Sequence, residues 1–187
     1  MKIKISTLFI AVFWLPFAVI AQQSYSVSNE SDATVIGTST LHDWEMTAEE
    51  ISGKGMITVE NGKVEDIKSL NLAFKVKSLK SGKNKMDDLA HEALEANSNP
   101  NITYKLSNIV ASANGQMKAK GMLSIAGKTR EVTVSGTVTT SGSKVIIKGS
   151  HDINMTEHDM EPPTAMFGTI KTGEMVTIEF EIVLTKS

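Results

Sequence analysis

Along most of the chain, apolar and polar residues alternate with a period of two. Leu70, Leu72, Phe74 and Val76 fall on one face, and Asn71, Ala73, Lys75 and Lys77 on the other. The same rhythm runs through Ile102, Tyr104 and Leu106, and through Met117, Ala119, Gly121, Leu123 and Ile125. It continues in Val132, Val134, Gly136 and Val138, and in Val176, Ile178, Phe180, Ile182 and Leu184. Successive side chains of a strand point to opposite faces, so each run predicts a strand with one face in a core and one in water. The dipeptides Asn61-Gly62, Asn114-Gly115, Ala126-Gly127 and Ser141-Gly142 separate pairs of runs, and Asn-Gly in that setting is a strong hairpin signal. About eight or nine strands joined by mostly short turns predict an up-and-down antiparallel meander. Such a sheet closes on itself or leaves two unpaired edges, and closure removes the hazard of an open edge. Glycines inside the runs, at 53, 55, 121, 136 and 149, suit the bends that a closing sheet needs.

Two internal segments depart from this rhythm. Met86, Leu89, Ala90, Ala93 and Leu94 are spaced as one stripe of a helix. The spacing predicts a short helix over about residues 85–96, with Asn84 as its N-cap, Asp87 and Asp88 in its first turn and Pro100 beyond its end. Its apolar stripe must lie against something, and one end of the barrel is the expected place. The other segment, Asn154 to Gly168, carries two prolines, three methionines and a phenylalanine, which is too apolar for a plain solvent loop. It is expected to fold over strand ends or to line an opening.

The first 21 residues have a different character. Lys2 and Lys4 precede an uncharged run from Ile5 to Ala21, broken by Pro16 and ending in Val19-Ile20-Ala21. This is the layout of a secretory signal peptide cleaved after Ala21, with an uncleaved membrane anchor as the alternative. The expectation is a signal peptide at 1–21, one barrel domain at 22–187, and export to the periplasm or the exterior. The chain has no cysteine, so the exported domain is held by its core alone, without disulfides or thiolate metal sites.

Composition narrows the function. Hydrophobic residues at 41% and charged residues at 21% are normal for a folded domain and argue against disorder. The net charge of −2 falls to −4 without Lys2 and Lys4, which argues against a nucleic-acid partner. No nucleophile elbow, phosphate loop, dinucleotide fingerprint or zinc-protease motif is present, so no catalytic residue is assigned. His42, His91, His151 and His158 include no pair at ligand spacing. A metal site built from His151 and His158 with Asp152 or Glu157 is weighed and set aside in favour of surface or mouth histidines. A copper site at Met155, Met160 and Met166 is likewise set aside for apolar gap-filling. No metal or cofactor is expected.

Four stretches in order carry a resemblance. They are GTSTLHDW (Gly37–Trp44), MDDLAHEALEANSNPNITYKL (Met86–Leu106), GMLSIAGKTREVTVSGTV (Gly121–Val138) and NMTEHDMEPPTAMFGTIKTGEMVTIEFEIVL (Asn154–Leu184). Together they resemble the YceI-like family of exported, lipocalin-like proteins, also described as polyisoprenoid-binding. The resemblance implies an all-β fold, an eight-stranded antiparallel lipocalin-like barrel with a long apolar cavity. It also implies a bound isoprenoid or fatty-acyl lipid and no shared enzyme activity. Combined with the inward faces, it predicts a lipid-binding wall of Leu70, Leu72, Phe74, Val76, Tyr104, Leu106, Leu123, Ile178 and Phe180. A mouth or gate is expected at His42, Trp44, His158, Met160, Met166 and Phe167, with Asp43 and Asp159 near the lipid head group. Transient contact with a membrane or membrane protein belongs to the same expectation. Alternation alone does not separate a hollow barrel from a filled one, so a ligand-free structural or stress-related barrel stays open, as does a lipid-modifying enzyme.

Overall fold

The computed structural model describes residues 22–187; the expected signal peptide at 1–21 lies outside them. The strands are β1 (Gln23–Val27), β2 (Asp32–Ser39), β3 (Trp44–Ala48), β4 (Ile51–Glu60), β5 (Lys63–Lys75) and β6 (Leu79–Lys80), then β7 (Asn101–Ala113), β8 (Gln116–Ile125), β9 (Lys128–Ser141), β10 (Lys144–Asn154), β11 (Thr164–Ala165) and β12 (Ile170–Lys186). One helix, α1 (Asn84–Ala93), lies between β6 and β7. Eight strands close a ring in the order β1-β4-β5-β7-β8-β9-β10-β12, with β12 pairing back to β1, and every pairing is antiparallel.

The surplus over the expected eight or nine strands comes from breaks. β1 and β2 both pair with β12, at Tyr25↔Lys186 and at Phe180↔Ala33, and so form one interrupted strand. β2, β3 and β6 extend the wall beyond the ring. Three pairings also slip: β2 with β12 between Thr172 and Val176, and two within the ring. β5 bulges against β4, so that Ile67 and Leu70, three residues apart, both turn inward, and β7 bulges against β8 with the same effect on Leu106 and Ile109. A bulge inserts one unpaired residue and flips the rest of the strand to the other face.

The two ends of the barrel differ. At one end sit the hairpin turns Asn61-Gly62, Asn114-Gly115 and Gly142-Ser143, with the start of β1 and the end of β12. Tyr25, Ile57, Val145, Ile182 and Leu184 fill this end and are all 1% exposed or less. The other end carries the turn from Ser39 to Trp44, the helix connection, the Ala126-Gly127 hairpin and the segment from Met155 to Thr169.

The helix cap lies one residue earlier than expected, and the helix starts at Asn84 and ends at Ala93. Lys83 is the cap residue and makes no side-chain bond, while Asn84 is already helical. The first turn is anchored instead by Asp87, whose carboxylate accepts from the Ser81 amide at 2.8 Å and the Ser81 hydroxyl at 2.7 Å, with Lys80 at 3.7 Å. Burial pushes the Asp87 pKa up, but the two Ser81 hydrogen bonds and the charges of Lys80 and His91 outweigh it and hold it below the ordinary value. His91 completes the attachment through its Nε2, 3.0 Å from the Leu79 carbonyl.

Candidate functional site

An end chamber of about 340 Å³ lies under α1 and the loops of the open end. Met86, Leu89, Ala90, Ala93 and Leu94 form its roof, and this is where the helix stripe goes. The walls and rim come from Val35, Leu41, His42, Trp44, Met46, Ile125, Ile153, Met155, Met160, Pro163 and Val176. Among the described residues, its lining includes Lys83 and Lys85 and no carboxylate. Below it, an inner chamber of about 90 Å³ runs between the strands. Leu70, Leu72, Phe74, Tyr104, Leu106, Leu123, Ile178 and Phe180 line it, and Ile153 borders both chambers.

These chambers place the candidate residues. Every expected wall residue lines the inner chamber except Val76. That residue is buried in a 3₁₀ turn, Val76–Ser78, beyond the end of β5, where strand alternation no longer applies. His42, Trp44 and Met160 line the end chamber. Met166 and Phe167 are a correction to the expected gate: Met166 is 69% exposed, Phe167 is fully exposed, and neither lines a chamber. Both have left-handed backbone (φ 51° and 55°), which turns them out at the tip of the β11–β12 loop while Ala165 and Thr164 face the cavity. His158 is also displaced from the mouth. It is buried against the barrel side, with Nδ1 3.4 Å from the Lys128 carbonyl. Of the expected head-group carboxylates, Asp159 is instead turned to solvent and bonded to Lys128, whose ammonium holds its pKa below the ordinary value.

Two glycines shape the walls. Trp44 stands opposite Gly37, and a Cβ on Gly37 would overlap the indole ring. The indole Nε1 donates to the Thr38 carbonyl at 3.0 Å, which fixes the ring at the rim. Tyr104 lies across Gly121 in the same way, and its hydroxyl is buried without a hydrogen-bond partner. Burial raises the Tyr104 pKa, so the phenol stays neutral. Without Gly37 and Gly121 both rings would swing into the space they now border.

The wall also has a seam. β9 and β10 stop pairing at Ser135 and Ser150, and towards the open end each keeps strand pairing only with its other neighbour. A cleft of about 330 Å³ opens there, lined by Arg130, Glu131, Val132, His151, Asp152, Glu157 and His158. His151 and Ile153 border both this cleft and the inner chamber. Desolvation pushes the His151 pKa down, and His158 adds to this, against an opposing pull from Asp152. The imidazole is therefore neutral at neutral pH. The residues weighed as a metal site do gather around the cleft. Among the described residues, however, no group of three metal-capable side chains comes together. Sequence reasoning missed the seam because it depends on which strands pair, and a hydrophobic period does not carry that information.

No curated protein matches the chain. Solved structures do, and at these identities they establish the fold alone. BcnA of Burkholderia cenocepacia is 20% identical, with 82% of this chain and 96% of that chain covered and a TM-score of 0.68. A polyisoprenoid binding domain from Saccharophagus degradans, implicated in plant cell wall breakdown, is 11% identical, with coverage of 89% and 100% and a TM-score of 0.66. The YCEI protein of Campylobacter jejuni is 12% identical, with coverage of 97% and 93% and a TM-score of 0.59. The family model of the YceI-like domain matches residues 25–184, from the first strand of the ring to the last. With that match over an eight-stranded antiparallel barrel, the chain belongs to the YceI-like family.

Proposed function

We propose that this chain is an exported binding protein that holds an isoprenoid or fatty-acyl chain inside its barrel and performs no reaction on it. The observation that carries the reading is the pair of adjoining apolar chambers, one wide beneath the helix and one narrow between the strands. Each buried CH₂ contributes about 0.8 kcal/mol, which immobilisation of chain and pocket partly offsets. An end chamber of about 340 Å³ falls in the range of small-molecule sites, which starts at about 300 Å³. The narrow inner chamber favours one linear tail over a folded or ring-shaped ligand. The polyisoprenoid-binding description of the Saccharophagus domain supports the same class of ligand. The leader pattern at 1–21 supports export, and N-terminal sequencing of the secreted chain tests it: a start at Gln22 is expected, and retained Met1 would contradict it.

The binding test is titration with a fluorescent fatty-acyl or polyprenyl probe. Saturable binding is expected, together with its loss in Leu72→Trp, which fills the inner chamber, and in Ala93→Phe, which fills the end chamber. Probe binding unaffected by both substitutions would contradict the reading.

A further inference from the structure

The barrel forms several turns from two consecutive left-handed residues, and one of them is anomalous. Asn61-Gly62, Asn114-Gly115 and Ala126-Gly127 each place glycine second, where it tolerates positive φ. The β11–β12 loop puts Met166 and Phe167 in the same conformation, with the Gly168 amide donating to the Ala165 carbonyl at 3.1 Å. Bulky residues are true outliers there. Their side chains gain nothing from the fold in return, since both are exposed to solvent. A turn that the chain elsewhere builds from Asn-Gly is here strained and apolar, and strain combined with exposed apolar surface points to function.

The position of the tip supplies the rest. Leu41, 65% exposed, projects from the neighbouring Ser39–Trp44 turn. Thr40 ties that turn to the start of β12, just behind the tip, its amide donating to the Lys171 carbonyl at 3.0 Å and its hydroxyl accepting from the Lys171 amide at 3.1 Å. Leu41 also lines the end chamber, whose lining carries Lys83 and Lys85 and no carboxylate, with Asp43 exposed on the same turn as Leu41. Extending the carrier reading, on which this rests, we propose that Met166 and Phe167, with Leu41 beside them, dock the chamber mouth onto an anionic lipid bilayer. The apolar side chains enter the interface, the two lysines face its negative surface, and a lipid tail passes into the chamber without crossing water.

The test uses the chain from Gln22, which contains every strand of the closed barrel, and the double variant Met166→Asn/Phe167→Gly. Both are floated with phosphatidylglycerol–phosphatidylethanolamine vesicles and with pure phosphatidylcholine vesicles. Binding of the native protein to the anionic vesicles is expected, with a loss of about tenfold or more in the double variant. Lys83→Glu/Lys85→Glu should lose anionic binding selectively. The double variant should melt no lower than the native protein, because Asn-Gly relieves the turn. It should also take up a fatty-acyl probe delivered from ethanol within twofold of the native protein. Equal flotation of native and double variant would overturn the docking surface. So would absence of native binding to either vesicle, including the case where sedimentation shows a dimer that the double variant lacks. Tip-dependent flotation in a protein that takes up no probe from ethanol would leave the docking surface standing and sink the carrier reading.

Discussion

The two ends of this barrel are built from the same strands and reach opposite outcomes. At the hairpin end, tight turns bring neighbouring strands together and leave no length of chain to spare. The Thr140 hydroxyl donates to the Gly62 carbonyl, lacing the β9–β10 hairpin to the β4–β5 hairpin. Ile57, Val145 and Leu184 are completely buried there. At the other end, long connections separate the strand ends, a helix spans the opening, and a chamber of about 340 Å³ lies beneath it. The hairpin end follows the rule that protein interiors pack to crystal density. The helix end departs from it. Fully buried side chains thus gather at one end and the wide chamber lies at the other, with the narrow inner chamber reaching from Ile153 to Ile182 between them.

Truncation should show this asymmetry most strongly. Leu184→Ala or Ile57→Ala opens an enclosed cavity in the packed end and is expected to cost about 2–5 kcal/mol in chemical denaturation. Leu89→Ala, at the roof of a chamber already hollow, should cost only about 1 kcal/mol and weaken probe binding instead. Equal losses at both ends would erase the distinction. A second substitution acts at the boundary of the narrow chamber. Gly121→Ala drives the Tyr104 ring off the wall and should cost about 1–3 kcal/mol through overpacking. It should also block the inner chamber, read as lost probe affinity.

The strand faces were legible because the period of two survives wherever a strand is regular. Leu72, Phe74, Tyr104 and Leu123 were placed inward by alternation alone, and they line the inner chamber. The bulges were not legible as such, although apolar residues three apart inside a strand run, such as Leu106 and Ile109, are their trace. The helix was visible in its stripe, but its cap was misplaced, because Asp87 takes hydrogen bonds from Ser81 and leaves Asn84 inside the first turn. Met166 and Phe167 lie outside the chamber linings for a conformational reason. Apolar residues read as buried, but these two combine positive φ with exposure at a loop tip.

Acid should separate the seam from the rest of the molecule. Burial depresses the folded-state pKa of His151 below the ordinary value of 6.5. Its contribution to stability is therefore complete above pH 6.5 and lost as pH falls through the lower folded-state value. Asp87, also depressed, holds its contribution until pH falls below the ordinary carboxylate value of 3.8. Stability measured from pH 7 to pH 4 should decline in the native protein, and His151→Gln should flatten that decline. An unchanged profile would mean that His151 is solvated in the seam. The smallest effect is expected at the open-end hairpin, where Ala126 holds φ +46° without a glycine's freedom. Ala126→Asn should stabilise by about 0.5–1 kcal/mol, read as a raised melting temperature with probe binding untouched.

The central claim is that the open half of the barrel holds a lipid chain. Its most direct test is organic extraction of the protein purified from the exported fraction, followed by mass spectrometry of the extract. Ala93→Phe, processed identically, serves as the control. The account predicts a linear isoprenoid or fatty-acyl compound, near one per native protein and strongly depleted in the variant. An extract empty of such compounds, from protein that also takes up none when they are supplied, would contradict it.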